Sequence, residues 1–176
     1  VLNRYQVMEV CLSGGEPFLR KDLRQIVEGI VRNRMRFTIL SNGTLISERI
    51  SSYIVSAGRC NGIQISIDGS VPTIHDICRG EGSFQKAWEG IKQLQRHKVP
   101  VTVRVTINKH NYRDLERISE FLLGKIGITR FSTNSASYIG LCRQNTKDVM
   151  LSVKERSEAM ETLARLAKEY HGRIVA

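Results

Sequence analysis

Strand-like and helix-like segments take turns along this chain, and that alternation restricts the fold more than any other feature. Val7–Leu12, Arg36–Ser41, Ile63–Ile67, Val101–Ile107 and Ile128–Ser132 read as strands, and Gly172–Ala176 opens another. Asp22 is placed to cap a helix whose Leu23, Ile26, Val27, Ile30 and Val31 fall on one face. Ser47–Ala57 reads as a helix closed by Gly58. Ser83 begins one with Phe84, Ala87, Ile91 and Leu94 inward, and Asp114–Leu123 is a helix stopped by Gly124. Ser152-Val153-Lys154-Glu155 is a capping box that opens a helix to about Tyr170, with Met160, Leu163, Leu166 and Ala167 inward. Strands separated by helical segments of this length form βαβ units, with a parallel sheet and right-handed crossovers. The expected fold is α/β, a partial (β/α)6 TIM-type barrel with parallel strands, truncated at both ends. At 176 residues the chain is one domain's worth of sequence and can bury a real core.

Two strands depart from what a packed barrel needs. A parallel strand covered on both faces reads as a nearly continuous apolar run. Ile63-Gln64-Ile65-Ser66-Ile67-Asp68 alternates instead, as does Val101-Thr102-Val103-Arg104-Val105-Thr106-Ile107-Asn108. One face of each is aliphatic; the other presents Gln64, Ser66 and Asp68, or Thr102, Arg104, Thr106 and Asn108. A small packed barrel fills its interior with branched aliphatics, so a polar lining points to a polar ligand and water. An edge or solvent-facing pair of strands is the alternative. Barrel enzymes place their chemistry at the C-terminal strand ends. There the chain carries Gly14 to Glu16, then Ser41 and Asn42, then Ser66 and Asp68, then Arg104, Thr106 and Asn108.

The first of these ends is Leu12-Ser13-Gly14-Gly15-Glu16-Pro17-Phe18-Leu19. Two glycines after a strand leave bare backbone that a small ligand can approach without a Cβ in the way. Pro17 stiffens the exit and keeps Glu16 out of the helical region. Ser-Gly-Gly-Glu-Pro-Phe-Leu-Arg-Lys-Asp-Leu resembles the signature after the second strand of radical S-adenosylmethionine (SAM) enzymes. Three further segments resemble that family in order. They are Leu40-Ser41-Asn42-Gly43-Thr44-Leu45; Ile65-Ser66-Ile67-Asp68-Gly69 followed by His75-Asp76 and Arg79-Gly80; and Tyr138-Ile139-Gly140 followed by Leu151-Ser152. The last is similar to the peptide-modifying branch that often carries a cluster-binding SPASM module, the branch of anaerobic sulfatase maturases and of coenzyme PQQ biosynthesis.

The resemblance implies two cofactors, SAM and a [4Fe–4S] cluster, and a reductive cleavage of SAM to a 5′-deoxyadenosyl radical that abstracts hydrogen from a substrate. It implies that backbone at Gly14, Gly15 and Glu16 meets the SAM amino group and that Ser66 contacts its methionyl or ribose part. Asp68 belongs to the same cofactor-binding set. A guanidinium suits the SAM carboxylate, and Arg79 and Arg104 both qualify. Arg79 could instead pair with Asp76, and Arg104 with Asp68 or Glu16. His75 reads as orienting its loop. Ser41, Asn42 and Asn108 are candidates to face the substrate, with Asn42 also able to serve its turn. No catalytic side chain is assigned.

The family binds its cluster through Cys-x-x-x-Cys-x-x-Cys. Cys11, Cys60, Cys78 and Cys142 show no such spacing, so no metal ligand is expected in this chain and the cluster ligands are expected upstream of Val1. Residues 1–176 then read as a fragment of a radical SAM core domain, with the cluster-binding first strand and loop and the C-terminal auxiliary module absent, and inactive alone. Expected partners are a peptide or protein substrate and a small-molecule reductant or electron-donor protein. No apolar stretch nears membrane-spanning length and no signal peptide opens the chain, so no membrane partner and a cytoplasmic location are expected. The net charge of +10 is spread over helix faces, with aromatics at 6% and no aromatic-interleaved basic stripe, which argues against nucleic acid. A non-catalytic peptide- or nucleic-acid-binding module on the same fold is the competing reading.

Overall fold

The computed structural model describes residues 2–137 and 140–175; Tyr138 and Ile139, part of the last resemblance segment, lie outside them. In chain order the first elements are β1 (Glu9–Leu12), α1 (Leu23–Arg32), β2 (Arg36–Ser41), α2 (Glu48–Ala57) and β3 (Cys60–Ser66). Next come α3 (Pro72–Arg79), α4 (Ser83–Arg96), β4 (Val101–Ile107) and α5 (Leu115–Ser119). β5 (Phe131–Ser135), α6 (Thr146–Val149), α7 (Val153–Glu169) and β6 (Ile174–Val175) complete the chain. Parallel strands that follow one another in chain order, with helices between them, give the α/β partial-barrel class expected from the sequence. The chain divides into two compact units, Val1–Ser66 with Gln85–Thr102, and Ile67–Phe84 with Val103–Ala176.

In the first unit β1 pairs with β2 and β2 with β3, all parallel. The alternation of the sequence becomes a buried apolar face: Phe37, Ile39, Ile63 and Ile65 are buried, and α4 lays Ala87, Ile91 and Leu94 in the same core. Burying such branched or aromatic side chains is worth about 1.5–3 kcal/mol each. α1 contributes Leu23, Val27 and Ile30. Asp22 does not cap α1 with its side chain; its carboxylate takes the Arg20 guanidinium at 2.7 and 2.9 Å instead. α4 rests directly on the turn that ends β2. A Cβ at Gly90 would lie 2.4 Å from the Gly43 carbonyl oxygen, so only glycine allows that approach.

In the second unit β4 pairs with β5 and β5 with β6, again parallel, so the strand opened by the C-terminal residues forms. Ile67, just past β3, donates its N–H to the Arg104 carbonyl. Three further findings differ from the sequence reading. β5 begins at Phe131 rather than Ile128, because Ile128 donates its N–H to Leu122 and lends its carbonyl to Arg173. The helix after Asp114 continues through Gly124 as a π-helical turn, Glu120–Lys125. Its wider turn lets three successive apolar residues, Phe121, Leu122 and Leu123, all be buried. In α7 the capping box forms, with Leu163 and Leu166 inward, but Met160 faces outward and Ala159 takes its place.

Candidate functional site

The Gly-Gly turn of the first unit is held by its own glutamate. Glu16 Oε1 accepts from the Phe18 N–H at 3.2 Å and from the Ser41 hydroxyl at 2.9 Å, and Oε2 accepts from the Asn42 N–H at 2.7 Å. One carboxylate thus ties the exit of β1 to the exit of β2. Ser41 is buried and also accepts from the Gly43 N–H. Asn42 Oδ1 accepts from the Thr44 N–H and hydroxyl, which makes it an Asx turn. Both side chains therefore serve the turn.

The glycines themselves are left clear. Gly14 sits at φ +138°, where a side chain is strained, and nothing lies within 4 Å of a Cβ built on Gly14 or Gly15. Among the described residues no hydrogen bond takes the Gly14 or Gly15 carbonyl. An ammonium group needs such uncommitted acceptors, so this turn fits the amino end of SAM. Ser66 ends β3 half-buried.

In the second unit the residues gather around Asp68, which is 3% exposed. Its Oδ1 accepts from the Thr106 N–H at 2.7 Å and its Oδ2 from Arg79 Nε at 2.6 Å. Its own N–H donates to His75 Nδ1 at 3.0 Å and its carbonyl accepts from Asn111 Nδ2 at 2.8 Å. Arg79 therefore pairs with Asp68, not with Asp76. Asp76 instead caps the start of α4, accepting from the Gly82 and Phe84 N–H groups and the Ser83 hydroxyl. Burial pushes the Asp76 carboxyl up, but those bonds with nearby His75 bring it below its ordinary value. Asn108 accepts from the His110 N–H and donates to the Thr106 carbonyl, so its side chain shapes the end of β4. Arg104 is exposed on β4. An open cleft of about 750 Å³ is lined by Asp68, Arg79, Thr106, Asn108 and Asn134, among others of this unit.

The sequence reading missed α3, which carries His75, Asp76 and Arg79, and it missed Asn111. Pro72 at the first helical position and Gly80 at φ +94° as C-terminal cap were the available signals. The four cysteines are unpaired, and among the described residues no three His, Cys, Asp or Glu side chains form a metal-sized group. Among the described residues no helix is long and apolar enough to cross a membrane.

Such a chain is an α/β partial-barrel protein with clear backbone at one strand end and a braced guanidinium near another. It belongs to the radical SAM superfamily, which its sequence matches over residues 1–122. It is 31% identical over 163 residues to the Fe-coproporphyrin III synthase of Methanosarcina barkeri, covering 92% of this chain and 40% of that protein. It is 27% identical over 164 residues to the PqqA peptide cyclase of Granulibacter bethesdensis, covering 93% of this chain and 43% of that one. The chain thus spans less than half the length of these relatives. The structure of native anSMEcpe with bound AdoMet and Kp18Cys peptide superposes with a TM-score of 0.77 at 17% identity, over 96% of this chain and 49% of that one. At that identity the likeness shows the fold. The family agrees with the resemblance carried by the Ser13–Leu23 motif, and a peptide cyclase among the relatives agrees with the peptide-modifying branch.

Proposed function

We propose that this chain is the SAM-binding core of a radical SAM enzyme that modifies a side chain of a peptide or protein. The observation that carries the reading is the Gly14-Gly15 turn, clear of neighbours, with uncommitted carbonyls and a glutamate brace behind it. Gly14, Gly15 and Glu16 would offer backbone to the SAM amino group, and Ser66 would meet its methionyl or ribose part. Of the two candidate arginines, Arg79 is favoured for the carboxylate because Asp68 already fixes its Nε; Arg104 is the alternative. SAM, with a [4Fe–4S] cluster held by residues outside this chain, supplies hydrogen-abstracting radical chemistry to the whole protein. This chain's residues orient the cofactor and exclude competing reactions. Asn108, which lines the cleft while its side chain shapes the end of β4, is the residue proposed to face the substrate. An electron from a small-molecule reductant or a donor protein completes the requirement.

The relative named Fe-coproporphyrin III synthase favours a second reading, in which the substrate is a tetrapyrrole. Stimulation of SAM turnover by peptides rather than by an iron porphyrin supports the first; the reverse supports the second.

The cofactor site is tested at Gly15. A Cβ built there has no other part of the protein within 4 Å, so the fold should tolerate a small branched side chain. In the full-length protein Gly15→Val is expected to unfold at the wild-type temperature yet bind SAM at least about tenfold more weakly, since its branches occupy the space of the ligand. Unchanged SAM affinity by calorimetry would remove this turn from the site.

A further inference from the structure

Asp68 commits both carboxylate oxygens inside the protein, one to the β4 backbone and one to Arg79. A carboxylate so placed fixes a guanidinium rather than touching a ligand. Because Oδ1 is held by Thr106, Asp68 engages Arg79 at a single point, Nε. Among the described residues, Nη1 and Nη2 of Arg79 meet no hydrogen-bond partner. Those two parallel donors match a carboxylate. The side chain is 29% exposed and lines the open cleft.

Asp68 is in turn held on both sides of its own peptide units. Asn111 takes the carbonyl, and His75 Nδ1 takes the N–H. An imidazole nitrogen can accept only while it lacks a proton, so this bond exists in the neutral Nε2–H tautomer alone. His75 is buried, with the Phe84 ring edge-on at 5.7 Å between ring centres. The charged groups that act on it are Asp68, from the end of β3, and Asp76 and Arg79, from its own helix α3. Phe84 of α4 brings no charge.

We infer that neutral His75 is a positioning residue: it holds the Asp68 backbone and, through the Asp68 carboxylate, aims the outer edge of Arg79 at the carboxylate of the bound ligand. This rests on the SAM-binding reading and extends it by tying ligand binding to the protonation of a residue that touches no ligand. A proton on Nδ1 would turn the acceptor into a donor facing an N–H. Burial holds the imidazole below its ordinary value, and Arg79 adds to that, against the opposing pull of Asp68 and Asp76. The neutral form is therefore the one the folded arrangement favours. The bond and the stability it brings are present above about pH 6.5 and are lost as pH falls through the lowered value.

The test uses the full-length protein and SAM itself, with affinity measured between about pH 5 and 8 for wild type, His75→Ala and His75→Asn. Asparagine places an amide oxygen near the position of Nδ1 and cannot titrate. At neutral pH the alanine variant should bind SAM about tenfold or more weakly, the order expected when a bond that positions a charged group is lost. The asparagine variant should stay within about threefold of wild type and lose the acid limb that wild type shows. Nitrogen-15 spectra of histidine-labelled wild type should show His75 Nδ1 unprotonated at neutral pH. A protonated Nδ1, an acid limb unchanged in His75→Asn, or wild-type binding by His75→Ala each overturns the inference. Thermal unfolding identifies an alanine variant that fails to fold; the asparagine variant and the spectra then decide. Wild-type protein that binds no SAM overturns the SAM reading and this inference together, whereas binding that ignores His75 overturns the inference alone.

Discussion

Asp68→Ala should lower the unfolding free energy by about 3 kcal/mol, the range found when one partner of a buried, hydrogen-bonded charge pair is removed. The Thr106 N–H loses its acceptor and Arg79 loses the bond that fixes its Nε. Arg79 is partly exposed and can turn to water, which keeps the loss from being larger. Asp68→Asn retains an oxygen for Thr106 but turns an amide N–H₂ toward Arg79, so it should cost about half as much. Urea unfolding of both variants measures this order. A change under about 0.5 kcal/mol for alanine, the usual size of a surface substitution, would show that Asp68 is not the centre of its unit.

Glu16→Ala is the second large effect, expected at about 2–3 kcal/mol from three donors left without their shared acceptor. Ser41 and the N–H groups of Asn42 and Phe18 all depend on that carboxylate. With the brace gone, the Gly-Gly turn is no longer tied to the end of β2, so SAM affinity should fall along with stability. Glu16→Gln separates the two contributions. Its amide keeps one oxygen but sets an N–H₂ against either Ser41 or the Asn42 N–H, so it should lose about 1 kcal/mol. Equal stability of the glutamine and alanine variants would contradict the two-sided arrangement.

The strands and most helices of this chain were legible because their apolar residues recur at periods of two or near 3.6, and those residues are the ones buried. α3 was not, because an apolar stripe is not what holds it. Ile77 is exposed, and the helix is fixed by Pro72, by Gly80 and by the polar His75 and Asp76. Periodicity is blind to such a helix. Met160 was misplaced for a smaller reason: Ala159, Leu163 and Leu166 centre the buried stripe one residue earlier on α7. At the candidate site the residue types and their order were legible, but their duties were not. Glu16 braces partners about 25 residues away, and Asp68 meets Thr106 across 38 positions, distances at which local spacing carries no signal. The Asp68–Arg79 pair lay within reach of the sequence, yet reading α3 as a loop pointed Arg79 at Asp76.

The proposed radical chemistry is tested most directly by one product. The full-length protein, reconstituted anaerobically with iron and sulfide and then chemically reduced, should convert SAM to 5′-deoxyadenosine and methionine, detected by chromatography. Formation of 5′-deoxyadenosine that depends on reductant is the expected result. A protein that holds its cluster and binds SAM, yet yields no 5′-deoxyadenosine after reduction, would contradict it.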